Sequence, residues 1–319
     1  MQKLDGSYSV VAVIRDVGFL AFRDPHAIRP FVFGKKVVKN ETQAFVFSSE
    51  SVAIENMVDG ISNVRPGEAI FISKNLGMTR KVLLRKKKNH CMFEWVYFSR
   101  ATSILENVII NRARGNLGKE LARIYKKSPL CERLSKQRKH QIIVAPVPET
   151  SRPSTIVFAK HLKLNYKDIL EKNRFIGRVF IKPSETLRRH EIATNVKVID
   201  GLVKNKIVFL IDDSIVRGTT SKGIVQRIRD KGAREVHIFS TCPPIIYPCF
   251  YGVDLPTSDE LITYKKTLKE VEDYIGADSI TFMDQKGLVK AIGIKESNLC
   301  LACLTGKYVT PLNKVVDSL

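Results

Sequence analysis

The stretch 206–223, KIVFLIDDSIVRGTTSKG, constrains the fold of this chain more than any other segment. Ile207, Val208, Phe209, Leu210 and Ile211 form an apolar run of strand length without polar alternation. Such a run suits a strand covered on both faces inside a parallel sheet. It stops at Asp212 and Asp213, followed by Ser214, Arg217, Gly218, Thr219, Thr220 and Ser221. Ligands of open parallel sheets gather beyond the carboxyl ends of the strands, so the two acids are expected at a binding rim. Gly218 lets the backbone approach an anion, and the hydroxyl residues after it predict a cap for a helix beginning near Lys222. The free N–H groups of such a helix start bind phosphate. Without more context, the same residues also describe an acidic strand end followed by an ordinary Ser/Thr cap.

Length and composition narrow the class. A chain of 319 residues has room for two domains. No apolar run approaches the ~18 residues of a membrane helix, and Lys3 and Asp5 lead into no secretory core, so a cytoplasmic protein is expected. Residues 76–190 hold 27 basic and 8 acidic side chains and account for almost all of the net charge of +21. That field would concentrate a polyanionic substrate or bind nucleic acid without sequence preference; it also fits a solvated basic surface. The run 80–88, RKVLLRKKK, reads as such a surface, with too few aromatics for base stacking.

Residues 1–75 alternate short apolar strands (9–14, 19–22, 44–47 and 69–72) with turn signals at Asp24-Pro25 and Arg65-Pro66-Gly67. From about residue 100, helical patterns alternate with apolar strands at 142–144, 206–211 and 235–240, and a helical tail follows with candidates at 267–275 and 285–292. This order predicts an α/β fold with a parallel sheet and crossover helices. Six cysteines in a chain this long do not read as a disulfide framework. Cys300 and Cys303, three positions apart, have ligand spacing that serves zinc, a redox pair or two packed thiols equally.

The string 206–223 resembles the phosphoribosyl pyrophosphate signature of type I phosphoribosyltransferases, and its continuation TCPPIIYPCFYGVDLPTSDELI is similar to the amidophosphoribosyltransferase family. The same likeness runs in order through SYSVVAVIRDVGFLAFRDPHAIRPFVFG, SSESVA, VRPGEAIFI, WVYFSRATS, NRFIGRVFIKPSETLRR and CLACLTGKY. It implies a type I phosphoribosyltransferase sheet preceded by a partial β-rich glutaminase (Ntn-type) sandwich. The segments would be a glutaminase-type remnant at 1–75, a phosphoribosyltransferase domain at 76–260 and a C-terminal helical segment with cluster-ligand cysteines at 261–319. A partial sandwich would expose strand edges that usually need a cover. The family's glutaminase domain opens on a nucleophilic Cys; this chain begins Met1-Gln2-Lys3 and has no Cys before Cys91, so the glutaminase nucleophile is expected to be absent from it. Ammonia, or a partner segment that cleaves glutamine, would then supply nitrogen.

The resemblance also assigns roles. Glu149, Thr150 and Ser151 would form a pyrophosphate-binding loop, with Thr150 standing where Ser is usual. Asp212 and Asp213, with Thr150, would hold Mg2+ and meet the ribose hydroxyls, while Ser214 and Arg217 to Ser221 bind the phosphate. Arg178, Lys182 and Arg188 would arrive on a loop, 173–189, that closes over substrate and excludes water. Tyr97 would lie near the acceptor end, before an Ala101-Thr102 that replaces a usual Pro-Asp. Cys91, Cys249, Cys300 and Cys303 would hold a [4Fe–4S] cluster as a staple, leaving Cys131 and Cys242 as ordinary thiols. The implied reaction joins ammonia to phosphoribosyl pyrophosphate with loss of pyrophosphate, the first step of purine synthesis. Purine nucleotides are expected as feedback inhibitors and a homo-oligomer as the assembly, with neither membrane nor nucleic acid as partner. The alternative is a catalytically silent relative that senses phosphoribosyl pyrophosphate or nucleotides.

Overall fold

The computed structural model describes residues 1, 3–172, 196–255 and 257–311. They form two compact units, each assembled from separate stretches of chain. The first unit takes Met1–Asn111, Pro248–Asp254 and Gly293–Leu319. Its strands are β1 (Ser9–Ile14), β2 (Gly18–Arg23), β3 (Val32–Val38), β4 (Glu41–Ser48), β5 (Ile61–Asn63), β6 (Glu68–Ser73) and β7 (Met78–Val82). Two antiparallel sheets result, one ordered β1-β2-β6-β7 and the other β4-β3-β5. Between them lies an apolar layer of Ala21, Phe31, Phe33, Val64, Ile70 and Ile72, joined by Phe19, Phe45 and Phe47. Alternating apolar residues drive this packing, since every second side chain of a strand shares a face. β1 forms an edge, and its Val11 and Val13 are exposed.

Within the run 80–88 read as solvated surface, Arg85 to Lys88 are exposed as expected and Arg80 is the exception. Arg80 turns inward: its guanidinium lies 4.7 Å from the Phe33 ring centroid and bonds both carboxylate oxygens of Glu68, at 2.9 and 3.0 Å. Periodicity misses this because an arginine covering a core with its stem scores as polar. After the short strand β8 (His90–Cys91) and the hairpin of β9 (Ile104–Leu105) with β10 (Val108–Ile109), the chain enters the second unit.

That unit takes Arg112–Tyr247 and Leu255–Ile292. Its elements are α1 (Ile110–Lys126), α2 (Pro129–Leu134), β11 (Ile142–Pro146), α3 (Arg152–Leu162), β12 (Asn165–Tyr166), a ladder of β13 (Leu170–Lys172) with β14 (Val196–Val198), β15 (Ile207–Asp212), α4 (Thr219–Asp230), β16 (Glu235–Ser240), α5 (Leu268–Ile275), β17 (Ser279–Phe282) and α6 (Gln285–Ile292). Five parallel strands run in the order β12-β11-β15-β16-β17. The expected strands at 142–144, 206–211 and 235–240 are its three central members. Every residue of β15 is buried. On one face Val208 and Leu210 pack with Ile224, Val225 and Ile228 of α4 and Val271 and Ile275 of α5. On the other, Phe209 meets Tyr125 of α1 and Phe239 of β16 at centroid distances of 5.2 and 5.0 Å. Helices on both faces are what the unbroken apolar run requires. The chain then returns to the first unit with β18 (Leu299–Cys300) and α7 (Ala302–Thr305).

Candidate active site

The site grows from the carboxyl end of β15. Its neighbours β11 and β16 pair in parallel register, with Pro146 opposite Ile211 and Ser240 opposite Asp212. The Val147 N–H donates to the Ile211 carbonyl at 2.8 Å, so the 147–151 loop leaves the sheet beside the acid pair. Asp212 is buried, and its Oδ1 accepts the Asp213 N–H at 2.8 Å. Burial and the neighbouring Asp213 hold the Asp212 carboxyl well above the usual carboxylate range. Asp213 is pushed up to about 6 by burial, offset in part by the Ser214 hydroxyl, which donates to its Oδ1 at 2.9 Å, and by the positive charge of Arg114. Thr241 braces both backbone carbonyls, its N–H reaching Asp212 O at 2.9 Å and its hydroxyl Asp213 O at 3.2 Å.

The phosphate loop follows. Gly218 takes φ +72° and caps α4, which begins at Thr219. The expected start near Lys222 is therefore late by a turn: a glycine caps, and Thr219, Thr220 and Ser221 lie inside the first turn. No side chain occupies the cap position, so the helix start keeps N–H groups for an incoming anion. A Cβ on Gly218 would stand 2.4 Å from Ile262 Cδ1. Segment 258–264 supports the loop from that side. The Ile262 N–H donates to Val216 O at 2.8 Å, and Arg217 Nε pairs with Glu260 Oε2 at 2.7 Å.

In the neighbouring loop, Glu149 is exposed and pairs with Arg152, while Thr150 is half-buried. The Ser151 hydroxyl is turned inward and donates to Val147 O at 2.5 Å, which helps shape the loop. Asp212 to Ser214, Gly218 to Ser221, Glu149 and Thr150 thus share one end of the parallel sheet. Sequence reasoning missed Arg114, Thr241, Glu260 and Ile262. Arg114 carries a readable signal as a cation inside an otherwise small and apolar helical stripe with Ala113 and Leu117.

No family model matches the chain. It is 37% identical over 314 residues to the amidophosphoribosyltransferase of Pseudomonas aeruginosa, covering 96% of this chain and 60% of that protein. The enzyme of the same name from Methanothermobacter thermautotrophicus is 36% identical over 312 residues, with coverages of 98% and 62%. The solved glutamine phosphoribosylpyrophosphate amidotransferase of Bacillus subtilis, complexed with ADP and GMP, aligns with a TM-score of 0.81 at 34% identity, over 98% of this chain and 66% of that one. The chain belongs to the amidophosphoribosyltransferase family. It spans less than two thirds of the length of these relatives. The α/β class and the order of a β-rich part before a parallel phosphoribosyltransferase sheet agree with that membership.

Set against the family expectation, the remaining residues divide. Tyr97 belongs to the first unit, in the helical turn Glu94–Phe98, with ring contacts to Phe93 and Phe98 at 6.4 and 5.5 Å. Arg178, Lys182 and Arg188, with the expected closing loop 173–189, lie outside the described residues. The four expected cluster cysteines all fall in the first unit. Cys91 of β8 stands opposite Cys300 of β18 in a parallel ladder, Cys303 lies on α7, and Cys249 Sγ accepts the Tyr251 N–H at 3.3 Å. Burial pushes the Cys300 thiol up to about 11, with Cys249 adding to the shift; Cys91 is raised by burial, by Glu94 and by Cys300 and Cys249. Tyr308 is pushed up to about 12 by burial and by Cys249, Cys303 and Cys300, so the thiols share one neighbourhood. Among the described residues no three His, Cys, Asp or Glu side chains are grouped to hold a single metal ion, and no helix is long and apolar enough to cross a membrane.

Proposed function

We propose that this chain is an amidophosphoribosyltransferase acting with ammonia. It would displace pyrophosphate from 5-phosphoribosyl 1-pyrophosphate to give 5-phosphoribosylamine, the entry to purine synthesis. The observation that carries the reading is the pair of buried Asp212 and half-buried Asp213 at a strand end, followed by a helix start capped by a glycine at positive φ. The nitrogen lone pair forms the new bond to the sugar C1 as the C1–O bond breaks, and that electron pair leaves with pyrophosphate. The nitrogen then sheds a proton to solvent. Positive charge builds on the ring while an anion departs, so the protein must hold reactants in line and stabilise the leaving group. The α4 N–H groups, with Arg217 and the hydroxyls of Thr219, Thr220 and Ser221, would bind the 5-phosphate. Asp213 would meet the ribose hydroxyls, and Glu149 and Thr150 would flank the pyrophosphate.

The acid pair fits magnesium by its chemistry. Mg2+ is commonly held by one or two carboxylates together with substrate phosphates, so no third protein acid is needed. Two adjacent carboxyls, both with raised proton affinity, are the groups a divalent cation would relieve. When bound, the ion would neutralise the departing pyrophosphate. The four-thiol set fits a [4Fe–4S] cluster, in which each iron takes one protein thiolate, so no three sulfurs need converge on one ion. Cys91, Cys249, Cys300 and Cys303 would hold it as a structural staple.

In the same reading, residues 1–75 are a glutaminase-type remnant, 76–260 the phosphoribosyltransferase domain and 261–319 the segment that brings cluster cysteines. Glutamine would serve only where a segment carrying a glutaminase nucleophile is present. Purine nucleotides would act as feedback inhibitors, given the ADP and GMP in the Bacillus subtilis complex. The protein would work in the cytoplasm as a homo-oligomer. The test is pyrophosphate release by purified chain with magnesium and phosphoribosyl pyrophosphate. Release with ammonium and none with glutamine alone is expected. Calorimetric binding without release under either condition would replace the enzyme with a silent sensor.

A further inference from the structure

The second unit carries a basic cavity that the proposed chemistry does not use. It encloses about 510 Å³ between the last turns of α1 and the start of α6. Five cationic side chains and two carboxylates line it, with Ile124 among the few apolar contributors. Ligand cavities run from about 300 to 1,000 Å³, and five cations against two acids give the lining of this one a positive balance. Its chemistry suits charge.

Glu120 organises one wall. Its side chain is largely buried, and it receives Arg123 Nη1 on both oxygens, at 2.9 and 2.7 Å. Lys290 Nζ reaches the same carboxylate from α6 at 3.1 Å. These two cations hold Glu120 below the usual carboxylate range despite its burial. The acid therefore stays ionised and fixes both cations at the cavity wall. Asp284, the second acid, is committed to the α6 start, where its Oδ1 accepts the Gly287 N–H at 2.6 Å.

Lys126, Lys127 and Lys286 complete the lining, and none has an acidic partner among the described residues. Three exposed lysines lining one cavity without an acid partner among the described residues repel one another, a cost that surfaces usually avoid by mixing signs. A multiply charged anion removes that cost and gains charge-assisted hydrogen bonds from preset donors. We propose that this cavity is a second anion site, taking a compact polyphosphate such as inorganic tripolyphosphate or the triphosphate of a nucleotide. The excess of cations over acids in the lining assigns recognition to the phosphates. The proposal does not rest on the phosphoribosyltransferase reading, because no residue is shared with that site.

The test is calorimetric titration of the full chain with inorganic tripolyphosphate at low salt. Thr220→Asp places a carboxylate at the exposed α4 start and closes the other anion site without disturbing the core. Binding to Thr220→Asp is expected to persist. The triple variant Lys126→Ala/Lys127→Ala/Lys286→Ala is expected to weaken that remaining site about tenfold or more, with unchanged thermal unfolding. The conservative triple substitution of the same lysines by arginine should restore it. Tripolyphosphate binding that vanishes in Thr220→Asp, or that survives the alanine triple at full strength, overturns the proposal. A single-stranded oligonucleotide that competes at this site and binds more tightly than tripolyphosphate overturns the compact-anion assignment.

Discussion

Two buried acid clusters behave in opposite ways, one in each unit. Glu68 in β6 is fully buried and met by two guanidiniums: Arg65 donates twice to Oε1, at 2.8 and 3.1 Å, and Arg80 donates to Oε1 and Oε2 at 2.9 and 3.0 Å. Those bonds outweigh the desolvation of the carboxylate and hold its pKa at about 2. Asp212, buried, and Asp213, half-buried, stand beside each other at a strand end, and the proton affinity of both is raised. The first arrangement is complete in itself and serves the fold. The second is costly until something positive arrives, which is the mark of a binding site.

The difference can be broken by substitution. Asp213→Asn keeps the shape and removes the charge, and turnover with ammonium is expected to fall by about 10²–10³-fold, the scale of a lost electrostatic contact in a transition state. Stability should hold or rise, because one repelling acid is gone. Steady-state pyrophosphate release and a thermal melt read the two effects separately; full activity would remove Asp213 from the site. The converse substitution, Glu68→Gln, should cost about 2–3 kcal/mol in urea unfolding, toward the low end for a broken buried pair because Arg65 remains largely exposed. Turnover per folded molecule should not change.

A third change probes the phosphate loop. Gly218→Ala puts a Cβ into a left-handed position, worth about 1–2 kcal/mol, and against Ile262 Cδ1. The affinity for phosphoribosyl pyrophosphate should fall with it. Adding Ile262→Val deletes the opposing methyl and should recover part of the loss; no recovery would assign the whole effect to backbone strain.

The contrast also explains what could be read from sequence. The acid pair and phosphate loop were legible because strand, acids, glycine and hydroxyls are consecutive, so local chemistry and tertiary position coincide. The central strands were legible for the same reason: residues 207–211 are apolar on both faces. Arg80 was not, since its run of basic neighbours looks solvated and its partner lies twelve residues earlier. Arg114 left a trace as a cation in an apolar helical stripe, but its pairing with the acids and the Glu260–Ile262 support depend on how a distant helix and loop pack onto the sheet. The start of α4 was placed a turn late because hydroxyl residues suggested a cap that Gly218 supplies.

The smallest expected effect is the pH dependence, and its sign separates the clusters. For Asp213 the folded pKa of about 6 lies above the unfolded value near 3.9, so between them the folded state binds more protons. Stability should therefore fall as pH rises through that window, by about 1 kcal/mol once partial solvent contact is allowed for. Glu68 has the opposite shift: its contribution is present above about 4.5 and is lost only as pH falls toward 2. Urea unfolding at pH 5.0 and 7.5 should show wild type losing stability at the higher pH. Asp213→Asn should show less of that loss, and Glu68→Gln should keep the wild-type slope. Magnesium should flatten the wild-type slope by stabilising the ionised pair. A slope that persists in Asp213→Asn and ignores magnesium would mean that the two aspartates are no more cation-seeking than the glutamate already held by its arginines.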